Sequence, residues 1–168
     1  MSESYRLVAA SPQDGRAVFD LLQALGQGEN GFTNAAYGLR FEAFGAYLRK
    51  LEREAAGVDL EPGHVPQTVY WLWRDETPVG VIKLRHRLND ALRRHGGHIG
   101  YSVRPGERGK GLGTLMLKLV LLEAKKLGLE RVLLTCFETN LASRHVIENN
   151  GGVLEKVEED TCFYWITL

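Results

Sequence analysis

The stretch RPGERGKGLGTLM, residues 104–116, places four glycines and the cations Arg108 and Lys110 ahead of an apolar, helix-like run. Ordering a glycine costs more backbone entropy than ordering other residues, so a glycine cluster indicates a chain that turns tightly or is approached closely. A loop between a strand and a helix presents the unpaired N–H groups of the helix start and the positive end of its dipole. Glycines let a phosphate reach those donors. The loop therefore predicts an anion site.

Two well-known phosphate loops fit this stretch poorly. A Walker A loop needs a Lys-Ser/Thr pair at its last glycine, whereas Leu112 follows Gly111 here. A dinucleotide loop opens a βαβ unit, but the strands before this loop look antiparallel and little chain follows it. Glu138 does favour that alternative, because it ends the next strand where a ribose-binding acid belongs. A dinucleotide-binding oxidoreductase therefore stays as a third hypothesis.

The pattern Arg/Gln-x-x-Gly-x-Gly/Ala fits better, with Arg108, Gly111 and Gly113 at its fixed positions. Together with the preceding strand IGYSVRP, it resembles the pyrophosphate loop of the GCN5-related N-acetyltransferases (the GNAT superfamily), which bind acetyl-CoA. NLASRHVIENNGG is similar to the family's Asn-x-x-Ala/Ser pattern and supplies Asn140 and Ser143. Segments such as VIKLRHRLN, GGHIGYSVRP and the closing YWI resemble one branch of uncharacterised predicted acetyltransferases, over most of the chain from about Val65 onward.

The resemblance implies where the donor lies. In such enzymes the fourth strand splays from the fifth, and the pantetheine arm occupies the gap, where a backbone N–H stabilises the developing oxyanion. The implied donor-binding residues are Tyr101, Ser102, Val103, Arg108, Gly109, Lys110, Gly111, Leu112, Gly113, Thr114, Asn140 and Ser143.

The usual catalytic residues of the family are absent. Ile147 stands seven residues after Asn140, where many relatives have a tyrosine acid, and Thr135 stands where some have a glutamate base. The Gly-Phe pair that follows is Gly-Gly.

Three other residues are therefore catalytic candidates. His98 could act as a base because imidazole titrates in the useful range, and Glu138 could act as a base through water. Tyr101 could act as the acid if its hydroxyl reaches the sulfur. A hydrogen-bonded structural histidine, a solvated loop acid and a packing tyrosine are the respective alternatives.

The acceptor site is indicated only by residue type. In RHRLN, Arg85 and Arg87 would share one strand face and could fix an acidic acceptor, or could pair with structural carboxylates. Phe32 and Tyr37 lie where relatives line the acceptor pocket, although helical spacing also fits core packing. The histidines form no HxxxH or HExxH spacing, so we expect no metal site.

The elements that position these residues read in the order strand, two helices, three antiparallel strands, helix, strand, helix and two closing strands. The expected fold is α+β and GNAT-like: a mostly antiparallel sheet of about 6–7 strands with a splayed β4/β5 pair and about four helices. Residues 13–25 and 34–56 are predicted helical. We find no repeat and no linker, so residues 1–168 are predicted to form a single N-acetyltransferase domain.

The charge and cysteine content of the sequence limit the kinds of binding partner and the cellular location that we expect. The 168 residues carry a formal net charge of +0, which argues against a broad nucleic-acid surface. The expected localisation is cytoplasmic, because the sequence shows no signal peptide and no membrane-length apolar run. Cys136 and Cys162 form no CxxC pair and are expected to be reduced.

The sequence therefore predicts an acyl-CoA-dependent N-acyltransferase that moves acetyl from acetyl-CoA to a small-molecule or peptide amine. Direct attack in a ternary complex is expected, since no Cys or Ser stands in an activated arrangement. Formation of an acetylated Cys136 would contradict this. The alternative is a CoA-binding sensor or regulatory module with little catalysis. A homodimer is compatible with the sequence.

Overall fold

A computed structural model describes residues 2–29 and 32–168. Its strands are β1 (Tyr5–Ala9), β2 (Gln67–Arg74), β3 (Thr77–Arg85), β4 (Ile99–Val103), β5 (Arg131–Phe137), β6 (Val153–Glu158) and β7 (Thr161–Thr167). Its α-helices are α1 (Arg16–Ala24), α2 (Phe44–Ala56), α3 (Asp90–Arg94), α4 (Leu112–Lys126) and α5 (Leu141–Asn149), with 3₁₀ turns at Phe41–Ala43 and Pro105–Glu107.

The strands form two antiparallel sheets, in the orders β1-β2-β3-β4 and β5-β7-β6. The predicted α+β fold is confirmed. Two local predictions need correction. Residues 35–38 are a turn, so the helix predicted from residue 34 begins only at Phe44. A fifth helix, α3, is capped by Asn89, whose Oδ1 accepts the Leu92 N–H at 2.9 Å. At five residues it is too short to show an apolar stripe in the sequence.

Helices cover both faces of the four-stranded sheet. Strand alternation turns Leu72 and Ile82 toward α4, where they join a core cluster with Met116. Trp71 and Val81 face the other way and pack with α1 and α2. Burial of each such side chain contributes roughly 1.5–3 kcal/mol, so the packing fixes the strand ends that bear the site residues.

The two sheets meet where β4 begins and separate beyond it. The backbone N–H of His98 donates to the Leu133 carbonyl at 2.7 Å. The Leu133 N–H donates to the imidazole Nδ1 of His98 at 2.9 Å, so a side chain takes the place of a backbone acceptor. Past this point no β4–β5 ladder forms within the described residues. The result is the predicted splayed pair, joined at one end by the contacts that we call the His98 clamp.

Candidate active site

One cavity of about 640 Å³ lies between the separated strands. Residues of β3, β4 and β5, the glycine loop, and the first turns of α4 and α5 line it. The end at the glycine loop is called the donor end below. The end at β3 and the loop before α2 is called the acceptor end.

Backbone groups dominate the donor end. Gly109 and Gly111 both adopt φ of +79°, a region that side chains rarely occupy, and a Cβ at either position would meet nothing within 4 Å. Gly111 is the N-cap of α4 and makes no side-chain cap bond. The first hydrogen bond inside α4 runs from the Leu115 N–H to the Gly111 carbonyl oxygen, at 3.1 Å. The amides of residues 112–114 therefore lack intrahelical partners, and this open, positively polarised turn fits a pyrophosphate.

The cations of the glycine loop are already paired. Glu107 binds the guanidinium of Arg74 through two hydrogen bonds and accepts from Lys110 Nζ at 3.0 Å, which lowers its pKa to about 2. Arg108 pairs with Glu29 and donates from Nε to the Val103 carbonyl at 3.0 Å. Both predicted cations thus lie at the donor end, but each is held by a carboxylate. Neither Arg74 nor Glu29 shows a sequence spacing that would have indicated this.

Tyr101, Ser143 and Asn140 come together beside the loop. The hydroxyl oxygens of Tyr101 and Ser143 are 2.7 Å apart. The Ser143 N–H donates to Asn140 Oδ1 at 3.2 Å, so Asn140 is the N-cap of α5. Burial raises the pKa of Tyr101 to about 12, with the Ser143 bond opposing the shift. The tyrosine is therefore a neutral O–H donor at physiological pH.

The structure does not bring the two base candidates to the cavity. His98 is 4% exposed and occupied in the clamp, and burial together with the charges of Arg85 and Arg93 lowers its pKa to about 4. It is a hydrogen-bonded structural histidine, and its prediction as a base needs correction. The side chain of Glu138 is exposed and does not line the cavity. Neither the residue type of Glu138 nor its position at a strand end shows in the sequence that its side chain lies outside the cavity.

The departures from the family pattern have local packing reasons. Ile147 is fully buried at the cavity wall. A Cβ at Gly152 would lie 2.4 Å from Ile147 Cγ2 and 2.8 Å from the Ile147 carbonyl oxygen, so both the side chain and the backbone of residue 147 favour glycine there. Thr135 Oγ1 accepts the Gly96 N–H at 2.9 Å and holds the turn before β4.

Only two of the four residues predicted to bind the acceptor line the acceptor end of the cavity. Arg85 lines the cavity, but β3 ends there and Arg87 is exposed outside it. The predicted shared strand face therefore does not form. Phe32 lines the cavity, whereas Tyr37 lies in the turn before α2, is 47% exposed and is not part of the cavity lining. Lys83 lines the cavity and was missed, although strand alternation from Arg85 could have found it.

Cys136 also lines the cavity, opposite Cys162 on β7, and both thiols are free. Burial raises the pKa of Cys136 to about 11, so it is a thiol rather than a thiolate nucleophile at neutral pH. Among the described residues no group of three His, Cys, Asp or Glu side chains could hold a metal ion. No helix in the described part of the chain is long and apolar enough to cross a membrane.

The family model of the acetyltransferase (GNAT) family matches residues 34–151. The chain belongs to this family. The predicted family membership and the prediction of an N-acetyltransferase are thereby confirmed. No curated protein matches the chain.

Solved structures share the fold at low identity. The ribosomal-protein-S5-alanine acetyltransferase of Vibrio fischeri superposes with a TM-score of 0.74 at 17% identity, covering 99% of this chain and 94% of that one. The Campylobacter jejuni N-acetyltransferase PseH in complex with acetyl-CoA gives 0.64 at 12% identity, covering 98% and 99%. Salmonella typhimurium yncA, a putative acetyltransferase with its cofactor acetyl-CoA, gives 0.63 at 17% identity, covering 98% and 94%.

Proposed function

We propose that residues 1–168 act as one domain that transfers the acetyl group of acetyl-CoA to a primary amine by direct attack in a ternary complex. One observation carries the proposal: a single cavity is lined both by the open helix start at Gly111 and by the buried hydroxyl of Tyr101. The first suits a pyrophosphate, and the second suits proton transfer at a thioester.

The donor end would hold acetyl-CoA largely through the backbone. The amides of residues 112–114 would receive the pyrophosphate, and the β4 edge that faces β5 would bind the pantetheine arm, because no ladder occupies that edge. Ser102 and Val103 lie on this edge. When bound, the cofactor supplies an activated acetyl carbonyl and a thiolate leaving group.

Tyr101 would protonate the thiolate that leaves when the C–S bond breaks, and solvent would take the proton that the attacking nitrogen loses and return one to Tyr101. Its hydroxyl is neutral at physiological pH and is oriented by Ser143, so the donor proton is available where the strands separate. Asn140 would act through Ser143, since its side chain caps the helix that carries the serine. Cys136 remains a thiol and is not required as a nucleophile.

The test combines binding and turnover. We expect acetyl-CoA and CoA to raise the melting temperature while NAD and NADP do not, and CoA release to depend on an added amine. Stabilisation by acetyl-CoA without turnover on any amine would instead support the sensor alternative, which family membership does not favour. A burst of CoA release with acetylated Cys136 would overturn direct attack.

A further inference from the structure

Two cations project from one face of β3 at the acceptor end. Lys83 and Arg85 are two residues apart on the strand, so their side chains lie on the same face, and both line the cavity. On β4, Gly100 is the register partner of Lys83, and a Cβ there would meet nothing within 4 Å. The missing side chain leaves room beside the lysine.

The contacts of these cations are neutral. Lys83 Nζ donates to the Thr33 carbonyl at 2.9 Å and lies 4.7 Å from the centroid of the Phe32 ring. Arg85 Nη1 donates to the carbonyls of Gly96 and Gly97, both at 3.2 Å. In the described residues, Arg85 Nε and Nη2 make no hydrogen bond, which leaves part of its planar fork for a ligand.

No carboxylate of the cavity wall balances them. The acidic residues that line the cavity are Glu29 and Glu107, and both are bound to cations at the donor end. Neither Lys83 nor Arg85 forms an ion pair with any carboxylate in residues 2–29 and 32–168. The remaining residues, Met1, Asn30 and Gly31, have no acidic side chain.

This imbalance is electrostatically unfavourable without a ligand. Burial and the nearby charge of Arg85 lower the pKa of Lys83 to about 8, with Glu54 opposing weakly, so the lysine is still mostly cationic at pH 7. Burial likewise lowers the pKa of Arg85. Desolvated cations gain most from an anionic partner.

We propose that Lys83 and Arg85 form a carboxylate-binding subsite and that the acceptor is a primary amine that also carries a carboxylate. This inference rests on the proposed acetyl transfer. The free edge of the Arg85 guanidinium matches a planar carboxylate, and Lys83, which lies beside the Phe32 ring, adds a second donor. Either a free amino acid or a peptide with an acidic residue near its amino terminus meets this description.

Turnover is the first test. We compare kcat/KM for matched pairs that differ by the carboxylate: glycine with methylamine, β-alanine with ethylamine, and 4-aminobutyrate with propylamine. A second set of substrates consists of short peptides with Asp or Asn as the second residue. A preference for the Asp peptides would mean that the carboxylate belongs to a peptide acceptor rather than to a free amino acid. At least one carboxylate-bearing member is expected to exceed its partner by about tenfold or more. Equal or reversed preference in every pair would overturn the proposal.

The test variant is Lys83→Met, which keeps the apolar stem of the side chain. The matched control is Lys118→Met, at an exposed position of α4. Lys83→Met should lower kcat/KM about tenfold more for the carboxylate-bearing amine than for its uncharged partner, whereas Lys118→Met should change neither. The Arg85→Lys variant keeps the charge but loses the planar fork, and should lower the preference less. An equal loss on all amines would make Lys83 a base and overturn the subsite.

A binding measurement keeps this test separate from the proposed function. N-Acetyl-β-alanine and N-ethylacetamide differ only by the carboxylate, and calorimetry in the presence of CoA needs no turnover. Tighter binding of the first ligand, lost in Lys83→Met, supports the subsite even if no amine is acetylated. Equal binding of the two ligands would overturn it even if acetyl transfer is established.

Discussion

The two ends of the cavity are built from different parts of the chain. At the donor end the cavity presents backbone groups, namely the amides at the start of α4 and glycines in left-handed conformations. At the acceptor end Lys83, Arg85 and Phe32 contribute side chains from β3 and a separate loop. Backbone sites require particular residues at fixed spacing, whereas side-chain sites can be assembled from many sequences.

Their charges differ as well. The donor-end cations Arg108 and Lys110 are paired with carboxylates, and the acceptor-end cations are not paired within the described residues. We therefore expect donor binding to depend on the amides more than on Arg108 and Lys110, and acceptor binding to depend on the charges of Lys83 and Arg85. The following variants test this contrast, from the largest expected effect to the smallest.

Tyr101→Phe removes the hydroxyl that lies between the two ends. We expect kcat to fall about 100-fold, because a positioned general acid contributes at least that much, while the Kd for acetyl-CoA changes less than twofold. Steady-state kinetics and calorimetry would measure both. Tyr70→Phe, in a half-buried tyrosine outside the cavity lining, is the control and should keep full activity. Unchanged kcat in Tyr101→Phe would remove the tyrosine from the mechanism.

Gly111→Val tests the backbone character of the donor end. A β-branched residue at φ of +79° costs about 2 kcal/mol or displaces the amides of the helix start, so the Kd for acetyl-CoA should rise about 30-fold. Gly106→Val is the matched control, because Gly106 lies in the same loop, has no positive φ and has free space around its Cβ position. Equal effects of the two substitutions would contradict a specific role for Gly111.

His98→Asn tests the joint between the sheets. Free histidine titrates near 6.5, and the folded pKa of His98 is about 4, so the unfolded chain takes up the proton first as the pH falls. The free energy of unfolding should therefore be retained above pH 6.5 and decline toward pH 4, by roughly 3 kcal/mol.

The asparagine variant keeps an acceptor for the Leu133 amide but cannot titrate in this range. Urea unfolding at pH 7.5, 5.5 and 4.5 should show a smaller decline for His98→Asn than for the wild type. Parallel declines would mean that other groups cause the acid sensitivity.

Glu29→Gln releases Arg108 from its carboxylate. Both side chains are about half exposed, so their pair contributes at most about 1 kcal/mol, and the affinity for acetyl-CoA should rise only two- to fivefold. Raising the salt concentration should shrink the gain. Glu42→Gln, at an exposed glutamate without an ion pair among the described contacts, should change nothing. A weaker affinity in Glu29→Gln would mean that the pair orders the loop.

The donor end could be predicted from the sequence because its geometry restricts residue type. Gly111 must accept a positive φ, and Asn140 must cap α5, so both leave a pattern at fixed spacing. The fold order followed from periodicity for the same reason. The roles of individual donor residues remain predictions that the variants above test.

The acceptor end could not be predicted, since its contacts depend on where elements stop and turn. Arg87 was predicted beside Arg85 because β3 was assumed to continue, and the strand ends one residue after Leu84. His98 appeared catalytic by type, but its acceptor bond to Leu133 spans 35 residues. The pairing of Arg74 with Glu107 likewise joins positions 33 apart, a separation with no local signal.

The His98 clamp makes the cavity width a property of a residue outside the cavity. β4 and β5 are joined at His98 and form no ladder from there to Val103 within the described residues, a span of five residues or about 17 Å. We therefore expect a different side chain at position 98 to alter how far the two strands part along this span. We expect substitutions at position 98 to change the volume between the strands without altering any residue that lines the cavity.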